Sequence, residues 1–253
     1  MVENAPYMDL AQIVLYLFWG FFASLIFYLL RENKREGYPL DTDRFGDRVV
    51  VQGWPGIPDP KTYKLRDGRE VVTPDRKPDR RPIAAEPVAP HPGAALTPTG
   101  NPMLDGVGPA SYAQRSDTPD TTYEGGPKLL PLRVATDHHL DDRDPDPRGL
   151  PVFGADGAVA GTVVDAWVDQ SEALIRYLEL EVEGSRRRVL LPINFTRINR
   201  RGVKVGAILA SQFADVPALR NPDQVTLLEE DRICGYYGGG LLYATPQRLE
   251  PLL

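Results

Sequence analysis

One cysteine, Cys234, stands in 253 residues, so no intramolecular disulfide can form; a reducing compartment fits. Histidine is almost as scarce, with only His91, His138 and His139. No phosphate loop, no G-x-S-x-G and no CxxC pair occurs, and no nucleophile–base or metal constellation supports an independent enzyme. Excess positive charge is missing as well. The formal net charge is −6, which argues against nucleic acid as the main partner, because phosphate binding needs a basic surface. Charge of either sign is absent from one long stretch, between Asp9 and Arg31, although the chain is 25% charged with a mean hydropathy of −0.31.

That stretch is the first positive signal. Leu10 to Leu30 is uncharged, with Gln12 and Ser24 as its polar residues. At about 1.5 Å per residue it makes roughly 31 Å of helix, the thickness of a hydrocarbon core. A cleaved signal peptide needs a basic start and a small-residue cleavage site. Here the preceding residues hold Glu3 and Asp9 but no lysine or arginine, and "RENKREGYPL" (31–40) follows without an A-x-A site. Arg31, Lys34, Arg35, Arg44 and Arg48 all lie after the span. The positive-inside rule therefore predicts residues 1–9 outside, a membrane span over 10–31, and the remainder in the cytoplasm. Tyr16, Trp19 and Tyr28 are candidate contacts to lipid headgroups or neighbouring protein.

Residues 32–130 are proline-rich and nearly without apolar periodicity. Two readings stand: an extended segment that gains order by lying on another surface, and a solvated linker. "RVVVQGW", "REVVTP" and "PMLDGVGPASYAQR" are patches with local shape. From residue 131 to 253 the pattern changes. "AVAGTVVDAWVD" follows the turn signal Asp156-Gly157, and "LIRYLELEVEG" alternates Leu178, Leu180 and Val182 with Glu179, Glu181 and Glu183. "RRRVLLPINFTRIN" and "GVKV" continue the series, with Pro192 pointing to an edge or bulge. Short, closely spaced strands predict a small antiparallel barrel. Thr226 and Glu229 form a capping-box pattern, which predicts a helix from Leu227 toward Tyr237. Gly238, Gly239 and Gly240 then end it, or let another backbone approach.

"DHHLDDRDPDPRG" (137–149) is the most metal-like segment. Adjacent histidines rarely share one ion and no Ca²⁺-loop spacing is present, so an acidic turn entering the barrel is the favoured reading. In "WVDQSEALIRYLE" (167–179), Asp169 and Glu172 flank a strand-to-strand turn with Arg176 close behind. Carboxylates held beside a cation in a partly buried place can accept and pass protons. An exposed hairpin would carry the same residues for solubility.

Several strings together give a resemblance. "REGYPL" (35–40), "PKTY" (60–63), "PTGNPM" (98–103), "DGVGPASY" (105–112), "DPRGLPV" (146–152), "AGTVVDAWVD" (160–169), "RYLELEV" (176–182), "QVTLLEED" (224–231) and "GGLLYATP" (239–246) occur in order along nearly the whole chain. The chain resembles the H subunit of the photosynthetic reaction centre of purple bacteria. The resemblance implies a single membrane helix and a cytoplasmic, mainly-β domain built on a small barrel of the PRC type, with an extended proline-rich segment and a C-terminal helix. It implies an inner, photosynthetic membrane and a cap on the cytoplasmic face of the L and M subunits. An antenna ring, a cytochrome subunit and membrane lipids are further expected neighbours. Bacteriochlorophyll, bacteriopheophytin, quinones and non-haem iron are expected in L and M, and no cofactor on this chain.

The resemblance also implies that the subunit shields the quinone sites and assists proton delivery to the secondary quinone. Glu172 and Asp169 match acidic residues near that quinone, while Arg176 and Lys128 match basic neighbours. Some relatives carry a histidine pair as proton entry before the segment matching "PKLLP". Here "TPDTTYEGGPKLLP" (118–131) has none. Asp120 and Glu124 are the candidate replacements, although carboxylates ordinarily collect protons less well than histidines at neutral pH. His138 and His139 stand at a different position. A second class of function, a membrane-tethered adaptor whose barrel binds a soluble protein, differs in one cheap observation: it would purify without pigment.

Overall fold

The computed structural model describes residues 9–36, 53–66, 68–75, 79–91 and 93–249. Residues 1–8, Arg44, Arg48 and most of "RVVVQGW" lie outside the described residues. The chain divides into two compact units, Met1–Arg81 with Ala89–Ala95, and Pro82–Val88 with Leu96–Leu253.

In the first unit, helix α1 spans Leu10–Asn33, about 36 Å at the usual rise. None of its residues is buried, and its most apolar window has a mean hydropathy of 2.2. The Ser24 hydroxyl donates to the Gly20 carbonyl at 2.8 Å, so this polar group is satisfied within the helix, as hydrocarbon requires. Past the apolar run, Glu32 accepts from Arg35 at 2.8 Å and from Lys61 at 2.6 Å. Lys34 donates to the Pro55 carbonyl at 2.8 Å, and the Trp54 ring lies 5.3 Å from that of Phe27. These bonds stitch the helix end to the residues leading into β1 (Lys61–Lys64). β1 pairs antiparallel with β2 (Glu70–Thr73), the strand formed by "REVVTP".

The second unit begins with a hairpin of β3 (Ala85–Pro87) and β4 (Leu96–Pro98). A short turn of helix, α2 (Pro102–Asp105), follows; the Asn101 side chain accepts the Met103 amide and caps it. The main sheet contains β5 (Leu129–Pro131), β6 (Pro151–Phe153), β7 (Val159–Asp169), β8 (Leu174–Val182), β9 (Arg188–Pro192), β10 (Thr196–Asn199) and β11 (Gly202–Val205). Its order is β10-β11-β6-β7-β8-β9, with β5 pairing the far end of β7. All pairs are antiparallel except β11 with β6.

The two outer strands of this path are joined by only Ile193–Phe195. Four Cα steps reach at most roughly 14 Å, whereas six strands laid flat would hold their outer members roughly 24 Å apart. The sheet must therefore curl until its ends nearly meet. Pro192 ends β9 at the edge of the path, as its missing N–H requires. Val152, Val163, Leu178, Leu180 and Leu191 share one face of the sheet and are almost fully buried, and Trp167, on the opposite face with Glu179, is buried as well.

Helix α3 (Leu227–Tyr243) closes the unit. Its capping box forms as expected: the Thr226 hydroxyl accepts the Glu229 amide at 3.1 Å, and Glu229 accepts the Thr226 amide at 2.9 Å. Tyr237 packs between Phe195 and Phe213, with centroids 5.7 and 6.0 Å away. Of the two readings of Gly238, Gly239 and Gly240, the helix stop fails and the close approach holds, because the glycines continue the helix to Tyr243. A Cβ on Gly239 would stand 2.5 Å from the Ala110 Cβ, and one on Gly240 would meet Ile208 and the Ala207 carbonyl. Close packing wins over the cost of glycine in a helix.

Glu179 does lie opposite Leu178 and Leu180 in the alternation, yet it is not solvated. It is 3% exposed, accepting from Arg133 at 2.5 Å and from the Trp167 indole at 3.1 Å. Arg133 also bonds Asp165 at 3.0 Å and Asp223 at 2.9 Å, so both faces of β8 are covered here. In the acidic turn, Arg143 pairs with Asp141 and Arg148 with Asp146. The Arg143 bonds hold the Asp141 carboxyl down at about 2.

Candidate functional site

The ladder of β5 on β7 explains why residues distant in sequence meet. Leu129 sits opposite Asp169, and just beyond it the Gln170 amide donates to the Lys128 carbonyl. The Lys128 amide in turn donates to the Asp120 carbonyl, closing residues 120–128 into a narrow loop. The Asp169 carboxylate then organises the turn to β8. Its Oδ1 accepts the Ser171 amide at 2.9 Å and the Glu172 amide at 3.1 Å. Ala173 takes a left-handed φ of 52° in this turn, a strained choice for a residue with a Cβ.

The side chains form one continuous run of alternating charge. Asp120 lies 3.6 Å from Lys128, and Lys128 lies 3.5 Å from Asp169. Arg176 bridges Asp169 at 3.2 Å and Glu172 at 2.9 Å. Five of the six residues named from sequence are thus brought together. Glu124 stands apart, in the exposed turn of the loop. His138 and His139 do not line the cleft beside these charges.

Environment separates the members of this run. Asp169 is 1% exposed, whereas the Glu172 side chain is half exposed. Burial opposes ionisation of Asp169 most strongly, but the Glu172 and Ser171 amides, Lys128 and Arg176 together outweigh it. They hold its carboxyl below the usual range. Asp120, Lys128, Asp169 and Arg176 line a cleft of about 400 Å³ that also includes Arg115, Tyr177 and Glu230, while Glu172 joins the run through Arg176 without lining the cleft. Burial pushes the Glu230 carboxyl up, against the opposing effect of the bond it accepts from the Tyr177 hydroxyl at 2.8 Å. Sequence reasoning missed Glu230. Its signal was helical spacing, because Leu227, Glu230 and Cys234 all face the cleft from one side of α3.

The curled sheet, its capping helix and the apolar α1 define a membrane-anchored PRC-barrel protein. Residues 141–209 match the PRC-barrel domain. Residues 3–134, more than half the chain, match the family "Photosynthetic reaction centre, H-chain N-terminal region", and the chain belongs to this reaction-centre H-chain family. An uncharacterized protein of Deinococcus radiodurans is 30% identical over 96 residues, which cover 37% of this chain. The match spans 35% of that relative's own length.

Proposed function

We propose that this chain serves as the H subunit of a photosynthetic reaction centre. It caps the cytoplasmic face of L and M, binds no pigment of its own, and shields the quinone sites. Helix α1 crosses the membrane with its N-terminus outside, by the basic residues that follow it. Reduction of the secondary quinone to quinol takes up two electrons and two protons. The observation that carries the reading is the linked run Asp120–Lys128–Asp169–Arg176–Glu172 beside an open cleft.

In this proposal Asp169 is a fixed, ionised anchor. It orients Lys128 and Arg176 and keeps the turn closed. Glu172 and Asp120, half exposed at the two ends of the run, exchange protons with water. The two cations limit the cost of holding three carboxylates close together. Burial makes Glu230, at the cleft wall, keep a proton more readily than an ordinary glutamate.

Replacing Glu172 with Gln in the intact complex is expected to slow the second, proton-coupled electron transfer to the secondary quinone, leaving the first unchanged. An unchanged second transfer across the neutral-to-alkaline range would remove Glu172 from the route. Affinity purification of the chain from detergent should bring bacteriochlorophyll absorbance with it. Recovery without pigment would favour the tethered-adaptor reading.

A further inference from the structure

We propose that the β10–β11 hairpin is a docking surface for an acidic segment of a soluble protein. Most cations of the second unit are spent internally: Arg133, Arg148, Arg176 and Arg220 close onto carboxylates, and Arg187 and Arg248 onto backbone carbonyls. Among the described residues, Arg197, Arg200, Arg201 and Lys204 form no ion pair, and all four are exposed. They are concentrated in eight consecutive positions of a chain whose net charge is −6.

Their arrangement costs stability. Arg197 lies directly opposite Lys204 across the hairpin. Like charges facing each other across antiparallel strands repel, and a nearby anion would relieve the repulsion. Two adjoining grooves of about 900 and 400 Å³ run over this surface, sharing Phe153, Arg201 and Lys204. Neither is lined by a carboxylate. Asp156, between the groove residues Ala155 and Gly157, accepts from the backbone amides of Ala158 and Ala210. The larger groove has an apolar side as well, with Phe195 and Leu241, the latter 58% exposed. Cations around an apolar floor suit a carboxylate-bearing peptide better than a bare anion.

The form of the surface favours a peptide segment over a membrane, because the cations and the apolar side chains line concave grooves rather than a flat face. The larger groove shares Asn194 with the charged cleft, so a segment seated in it lies beside the run of charges without touching Arg176 or Asp169.

The test uses the purified full complex in detergent and a fluorescent oligo-glutamate peptide, read by anisotropy. Binding should weaken as salt is raised, and R197Q/R201Q/K204Q should lower affinity about tenfold or more, with quinone reduction unchanged. The triple variant removes like-charge repulsion, so a Tm at or above that of wild type would show that the fold is intact. Equal peptide binding by wild type and variant overturns the proposal. So does displacement of the peptide by inorganic phosphate at equal concentration, which would mark a simple anion site. Displacement by phosphatidylglycerol vesicles, with phosphatidylcholine vesicles inert, would assign the hairpin to a membrane surface and overturn the proposal. Peptide binding alongside a silent Glu172→Gln variant would leave the docking surface standing and the proton route refuted.

Discussion

Asp169 and Glu230 border one cleft, yet their surroundings act on them in opposite directions. Asp169 has its carboxyl lowered on folding, so its stabilising effect is present above the ordinary aspartate value of about 3.9 and is lost as pH falls through the lower folded value. Glu230 has its carboxyl raised, so the folded state binds its proton more tightly than the unfolded state does. Its ionisation therefore removes stability as pH rises through the folded value. Two variants separate these effects. Asp169→Asn keeps an acceptor for the turn amides but leaves Lys128 and Arg176 without their shared anion, and should cost about 2 kcal/mol at neutral pH. That deficit should shrink on acidification. Glu230→Gln still accepts from Tyr177, and should raise Tm relative to wild type at neutral pH, with the gain vanishing toward pH values near about 4. Thermal melts across pH check both, and parallel curves for wild type and Glu230→Gln would refute the raised carboxyl.

At the scale of elements, α3 shows how tertiary contact overrides a local signal. A triple glycine near the end of an apolar run reads as a stop, because glycine disfavours helix by about 1 kcal/mol relative to alanine. What the pattern could not display is Ala110, more than a hundred residues earlier, lying against Gly235 and Gly239. Gly239→Ala should therefore destabilise, by about 1–3 kcal/mol of overpacking set against the helix-propensity gain. Ala110→Gly should recover part of the loss, because the Ala110 Cβ is the nearest atom while its Cα, at 3.1 Å, remains. Chemical denaturation of the two single variants and the double variant measures the coupling; strict additivity would show that the two positions do not touch. β7 and β8 were legible for the opposite reason, since a period of two is imposed by the strand itself. Glu179 was not. A buried glutamate paired to Arg133 has the same place in the alternation as an exposed one, and Arg133 sits in "PLRVAT", where no pattern marks it.

At the scale of the whole molecule, short and closely spaced strands were enough to predict a small barrel, but the strand order that curls the sheet was beyond the sequence. That curl follows from which strands pair and from the three-residue link between β9 and β10, and pairing order leaves no periodic trace. The run of charges at the cleft was legible at Asp169, Glu172 and Arg176, which share one turn, whereas Lys128 and Asp120 entered through family resemblance alone. The distribution of the core has a consequence for stability. Every buried hydrophobic residue among those described lies at Met103 or beyond, and α1 contributes none. A fragment of residues 82–253 therefore holds the whole described core, and is expected to be soluble without detergent and to unfold in one cooperative step. Of the three tryptophans, only Trp167 remains in it, fully buried with its indole N–H bonded to Glu179. Its fluorescence should be blue-shifted in the native fragment and move to the red in a single transition as denaturant is added. Solvent-like emission before any denaturant is added would mean that the barrel closes only with the first unit or the membrane partners in place.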